Sequence, residues 1–200
     1  MSQYRRTLNR RHQLNGFGML VAFVGMVGSS DRGARADFPP ATPSVEVAPM
    51  QSPGPVPIRN LDDLAGLSGP QLEAMYRQSG PGPVPSGKVR GLALYPDSRF
   101  PKAKARAARV AWQGKVFDPE TGTATNRFFG VRAMKGAVYS GRSWLDGGAS
   151  MILDYQNTSK IYRNYRDEIR QVAPGLYLGL MYDRTTNPPT FKMYFAFSDD

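Results

Sequence analysis

Residues 167–184 read DEIRQVAPGLYLGLMYDR. A charged run enters a turn at Pro174-Gly175 and leaves as an apolar strand that ends at Asp183-Arg184. Gly after Pro supplies the positive backbone angle a tight turn needs, so the stretch predicts a hairpin. Its second arm is apolar on both faces, with Leu176, Leu178, Leu180 and Tyr182 on one side and Tyr177, Gly179 and Met181 on the other. Such a strand needs filling inside a barrel and cover outside it.

Working outward, the same alternation recurs. Strands are expected at 88–95, 115–117, 125–129, 131–140, 142–145, 149–155, 167–172, 175–184 and 190–197. Turn signals separate them at Asp118-Pro119, Asp146-Gly147-Gly148 and Asn187-Pro188-Pro189. Short connections imply antiparallel pairing, because a parallel crossover needs a dozen residues or more. About eight such strands remove their exposed edges most simply by closing into an up-and-down barrel or by forming a strongly curved sheet. The expected fold is therefore α+β: a mostly antiparallel β-barrel of about eight strands, with two or three short helices at its N-terminal side. In the strand over 190–197, parity places Phe191, Met193, Phe195 and Phe197 on one side.

The helices precede or interrupt the first strands. Asn60 is placed to cap a helix over 61–67, and Ser68-Gly69-Pro70 to start a second over 71–78, where Leu72, Met75 and Tyr76 share a face. The two together, or a helix ending near Trp112, are candidates to cover the strand at 175–184. Residues 101–113, PKAKARAARVAWQ, are rich in good helix formers, and Gly114 follows where a terminating glycine would stand, so a third helix is expected there.

Ahead of this domain the composition changes twice. Arg5, Arg6, Arg10 and Arg11 precede an apolar run from Phe17 to Val27, and Ala34-Arg35-Ala36 follows. That is the layout of a secretory signal with an A-x-A cleavage site, and a run this short falls below the ~20 residues of a spanning helix. Arg5-Arg6-Thr7-Leu8 also admits a twin-arginine route. The expectation is a signal peptide over 1–36 cleaved after Ala36, a periplasmic or secreted product, and membrane contact only through an uncleaved signal segment. Residues 37–60 carry seven prolines and read as a Pro-rich disordered tether, followed by one barrel domain over 61–200.

Charge and composition narrow the chemistry. Of the formal +10, six Arg and one Asp fall in residues 1–36, leaving 20 basic and 15 acidic side chains beyond. That balance is ordinary for a soluble domain, and no nucleic-acid partner is expected. Cysteine is absent and His12, the one histidine, lies in the leader, so the expected mature chain has neither thiolate nor imidazole chemistry. No metal or other cofactor is expected.

Trp112-Gln113-Gly114-Lys115-Val116-Phe117 resembles the W-x-G-K-x-F element of the GXWXG-type bacterial proteins. Val131-Arg132-Ala133, Met151-Ile152-Leu153-Asp154-Tyr155, Gly179-Leu180-Met181 and Tyr194-Phe195-Ala196-Phe197 follow in the family's order. Met75-Tyr76-Arg77-Gln78-Ser79-Gly80 stands where the namesake motif would be, and the family's histidine before the basic strand has no counterpart. The resemblance implies a lipocalin-like or calycin-like barrel and no particular activity.

The candidate site residues are accordingly those of a ligand-binding barrel. Trp112, Tyr139, Trp144, Tyr155, Tyr177 and Tyr182 offer flat apolar rings with a few hydroxyls, and Asp154 and Arg170 offer charge. The expected partner is an apolar or lipid-like small molecule, and no catalytic residues are assigned. A hydrolase or isomerase built on carboxylates and tyrosines in the same cavity is one alternative, with Asp154 facing Asp167 or Glu168 across strands. An envelope protein with a filled barrel and a partner-binding role is the other.

Overall fold

The order of elements follows from the local signals. The computed structural model describes residues 57–199; the expected leader and most of the expected tether lie outside these residues. Asn60 begins helix α1 (Leu61–Leu64) with a reciprocal cap: its side chain accepts from the Asp63 N–H at 3.0 Å, while the Asp63 carboxylate accepts from the Asn60 N–H at 3.2 Å. Helix α2 (Gly69–Gln78) follows with Pro70 in its first turn, where no hydrogen bond is lost. Strand β1 (Gly87–Leu94), helix α3 (Pro101–Ala108) and strands β2 (Trp112–Asp118), β3 (Thr123–Phe128) and β4 (Val131–Arg142) come next. Strands β5 (Ala149–Asp154), β6 (Tyr165–Ala173), β7 (Leu176–Asp183) and β8 (Thr190–Ser198) complete the described chain.

Every strand pairs antiparallel with its neighbour in sequence, and β8 returns to β1, so the eight form a closed up-and-down barrel. Closure leaves no strand edge to template pairing with another chain. The hairpin at 167–184 is β6–β7, turning at Pro174-Gly175 with Gly175 at φ +69°.

Strand β7 is buried on both sides, as its composition requires. Its outward row, Leu176, Leu178, Leu180 and Tyr182, joins Leu64, Leu72 and Tyr76 of the two leading helices in one core outside the barrel wall. Leu64 and Leu72 are wholly buried there, each worth roughly 1.5–3 kcal/mol of transfer free energy. Its inward row, Tyr177, Gly179 and Met181, faces Phe197, Phe195 and Met193 of β8.

Four local expectations are corrected. The helix expected over 101–113 ends at Ala108, and Trp112 opens β2 opposite Phe128. Burying the indole edge-on to Phe195, 5.8 Å between centroids, outweighs local helix propensity, which tertiary packing readily overrides even in an Ala-rich run. Gly114 is no helix terminator: at φ +115° it lies against Gly91 of β1 so closely that neither position admits a Cβ. Residues 142–145 are not a strand of their own, since β4 runs through Arg142 and a loop over 143–148 then leads into β5. In β8 a bulge pairs Met181 with Met193 but Tyr182 with Phe191, so Phe191 turns outward onto Tyr182 and Tyr194.

Chain segments lie across the ends of the barrel. Tyr177 donates its hydroxyl to the Pro83 carbonyl at 2.9 Å, and Gly80 pairs with Gln171, which fixes the segment before β1 beneath one end. At the other end, Tyr162 from the β5–β6 connection packs its ring on Phe128, Tyr155 and Tyr165.

Candidate functional site

A polar cluster occupies the barrel interior beneath Tyr162. Lys115 on β2 and Asp167 on β6 are four strands apart in a ring of eight, yet Lys115 Nζ donates to Asp167 Oδ2 at 2.8 Å. The ion pair therefore crosses the barrel axis. Lys115 is 2% exposed and Asp167 3%, so both charges are out of water.

The other two ammonium protons also have partners. Lys115 donates to Asn126 Oδ1 at 2.9 Å and to the Tyr155 hydroxyl oxygen at 3.1 Å. Tyr155 in turn donates to Asp167 Oδ2 at 2.9 Å and accepts from Asn126 Nδ2 at 2.8 Å. Trp112 Nε1 donates to Asn126 Oδ1 at 3.0 Å. Around the ammonium stand the rings of Phe195, Trp112 and Tyr155, with centroids 4.9, 5.5 and 5.8 Å away, close enough for cation–π attraction.

Two bulges build this cluster. Strict alternation would send Trp112 and Lys115, three residues apart, to opposite faces of β2. A bulge between Trp112 and Gly114 inserts one residue, and both side chains turn inward. On β4 the register shifts between the partners of Thr125 and Asn126, and Met134 takes up the extra residue at φ +54°. A left-handed angle on a non-glycine residue stores strain, and such strain gathers at functional sites. Here it presents the Met134 carbonyl to Asn126 Nδ2 at 3.4 Å.

Burial governs the protonation of the cluster. It pushes the Lys115 ammonium below the usual lysine value, against the opposing pull of Asp167. It pushes the Tyr155 phenol well above its ordinary value, reinforced by the Asp167 charge, so the hydroxyl stays protonated and acts as a donor.

The structure divides the eight residues read from the sequence into three groups. Trp112 and Tyr155 belong to the interior cluster. Tyr177 faces inward near the opposite end, stacked on Phe197 at 4.9 Å. Tyr139, Trp144, Asp154, Arg170 and Tyr182 are on the outer wall. There Asp154 accepts from Arg184 at 2.7 Å and from the Tyr139 hydroxyl at 3.1 Å. Asp154 and Asp167 point to opposite faces of the sheet, so they form no facing pair.

Trp144 lies on the 143–148 loop with the Arg166 guanidinium 4.1 Å from its ring and Tyr182 edge-on at 5.6 Å. Arg170 is buried between that loop and α2. It donates to both Asp146 oxygens at 2.7 and 2.8 Å, to the Tyr76 carbonyl at 3.0 Å and to Ser150 Oγ at 2.9 Å. Glu168 beside it accepts from the Ser143 hydroxyl at 2.5 Å and the Trp144 N–H at 2.8 Å, and burial raises its pKa in spite of both bonds.

Sequence reading missed Lys115 and Asn126 as site residues and left Asp167 as one carboxylate among several. The available signal was Lys115 inside the Trp112–Phe117 element, a lysine between apolar neighbours on a barrel strand.

No protein-family model matches the chain, and no curated protein does. Among solved structures the chain is similar to a protein from Thermomonospora curvata known from its crystal structure, at 18% identity, with a TM-score of 0.46, over 68% of this chain and 89% of that one.

Proposed function

We propose that this chain is an exported binding protein for a small apolar molecule carrying one polar group, taken into the end of the barrel beneath Tyr162. The observation that carries this reading is the Lys115–Asp167 pair inside an aromatic shell. A buried ion pair is commonly no more stabilising than apolar side chains of the same volume, so stability alone gives little reason to keep one. A polar group fixed at the floor of an apolar enclosure is, by contrast, what orients a small ligand.

The same pair limits the ligand. Because Lys115 and Asp167 meet on the axis and the Phe195 ring lies over Gly179, a long chain running the length of the barrel has no path. The ligand is accordingly shorter than the barrel, with its polar end toward the cluster and its apolar body among Trp112, Phe128 and Tyr162. Entry requires the Tyr162 ring, which closes this end, to swing aside.

Titration with decanol, followed by Trp112 fluorescence in the Trp144→Phe protein, tests this. Saturable quenching is expected, with faster association in Tyr162→Ala. No fluorescence change, together with a bare mass in native mass spectrometry of protein purified from its own host, would remove the binding reading.

A further inference from the structure

We propose that Lys115 is a carbonyl-capturing amine, and that the molecules this barrel retains are apolar aldehydes or ketones held reversibly as a protonated imine on its Nζ. The inference rests on the binding reading above and names the chemical class of its ligand.

The chemistry follows from what surrounds the nitrogen. All three ammonium protons are bonded, to Asn126, Tyr155 and Asp167. An anionic ligand would therefore have to displace a carboxylate 2.8 Å away and bring a second negative charge into the barrel. A neutral carbonyl compound brings none. Lysines removed from water give up their proton more readily and serve as imine-forming nucleophiles, and burial acts on Lys115 in that direction.

Each proton has a place to go. Lys115 passes one from Nζ to Asp167 Oδ2, leaving an amine and a carboxylic acid. The nitrogen lone pair attacks the carbonyl carbon, the C=O π bond breaks toward oxygen, and the Tyr155 hydroxyl turns its one proton from the now protonated Asp167 to donate a hydrogen bond to that oxygen. Transfer of one nitrogen proton to the oxygen gives the neutral carbinolamine. Asp167 then returns its proton to the hydroxyl, the C–O bond breaks, and water leaves as the C=N bond forms. The balance is one ammonium and one carbonyl compound giving one protonated imine and one water, with Asp167 again a carboxylate. The cationic imine inherits both the Asp167 counter-charge and the rings of Phe195, Trp112 and Tyr155 that now surround the ammonium.

The test uses the whole chain with decanal and cyanoborohydride, with decanol binding measured in parallel. The chain has seven lysines, and Lys88, Lys102, Lys104, Lys135, Lys160 and Lys192 serve as internal controls. The expected result is one decyl adduct per chain, mapped by peptide mass to Lys115, and suppressed by excess decanol. Asp167→Asn is expected to slow its formation about a hundredfold, the usual scale of proton-transfer assistance. Because the mapping is done on the unaltered protein, it stands even if that variant folds poorly. Decanol binding without an adduct at Lys115, or with adducts spread over the other lysines, overturns the imine and leaves the binding reading intact. Neither decanol binding nor an adduct overturns both.

Discussion

Lys115 and Asp167 each make sense only in the other's presence. Removing one leaves an uncompensated charge in a region closed to water, a loss of about 3–5 kcal/mol, whereas removing both together spares most of it. We therefore expect Lys115→Met and Asp167→Leu each to lower unfolding free energy in urea by that amount, and the double variant to be more stable than either single one. Additive losses would mean that the two side chains do not share one buried interaction. Gly179 belongs to the same interior, since a Cβ there would meet the Phe195 ring, and the ring's position depends on glycine at that point. The pairing of Lys115 with Asp167 was beyond the reach of the sequence. It joins residues 52 apart through a register that depends on a bulge at Trp112, and a bulge has no period to detect.

The 143–148 loop is the element whose behaviour should change most with pH, because two carboxylates of opposite tendency hold it. Asp146 is held below its usual 3.8, chiefly by the hydrogen bonds from Arg170. Its contribution is complete above that value and is lost as pH falls through the lowered one. Burial raises Glu168 above its usual 4.5, so its contribution is complete below 4.5 and is lost as pH rises through the raised value. Trp144 emission in a Trp112→Phe protein should report a tightly held loop near pH 4 and loosening on either side. Asp146→Asn should remove the acid limb and Glu168→Gln the other. A flat profile in the parent protein would show that neither carboxylate secures the loop. At this scale much was legible, including the hairpin at Pro174-Gly175, the cap at Asn60 and the Leu72–Met75–Tyr76 face of α2. These are signalled by adjacent residues. The end of α3 was not, because the burial that draws Trp112 into β2 comes from β3 and β8, far along the chain.

For the whole molecule, the barrel could be anticipated because nearly every strand pairs with its neighbour in sequence. The exception is the closing pair, β1 with β8, which brings residues 87–94 against 190–198 and makes folding depend on a late, long-range contact. The site was less legible, since which of many aromatic and charged side chains face inward is a property of the closed ring. Export is a claim about the entire chain, and it has its own measurement. Protein recovered from its native host should begin at Asp37; an intact Met1 in the soluble cytoplasm would remove the export proposal and restore His12 to the available chemistry.

The alternation of β6 has one more effect. Arg166, Glu168 and Arg170 face out while Asp167 and Ile169 face in. A slip of this strand by a single residue would exchange one carboxylate for another at Lys115 and so seem cheap. The same slip would carry two guanidinium groups into the barrel, with only Glu168 to accompany them, and strip the 143–148 loop of its anchors. Mispaired barrels are thus penalised by the arginines and not by the acids, which makes β6 the strand that selects a single way for this chain to close.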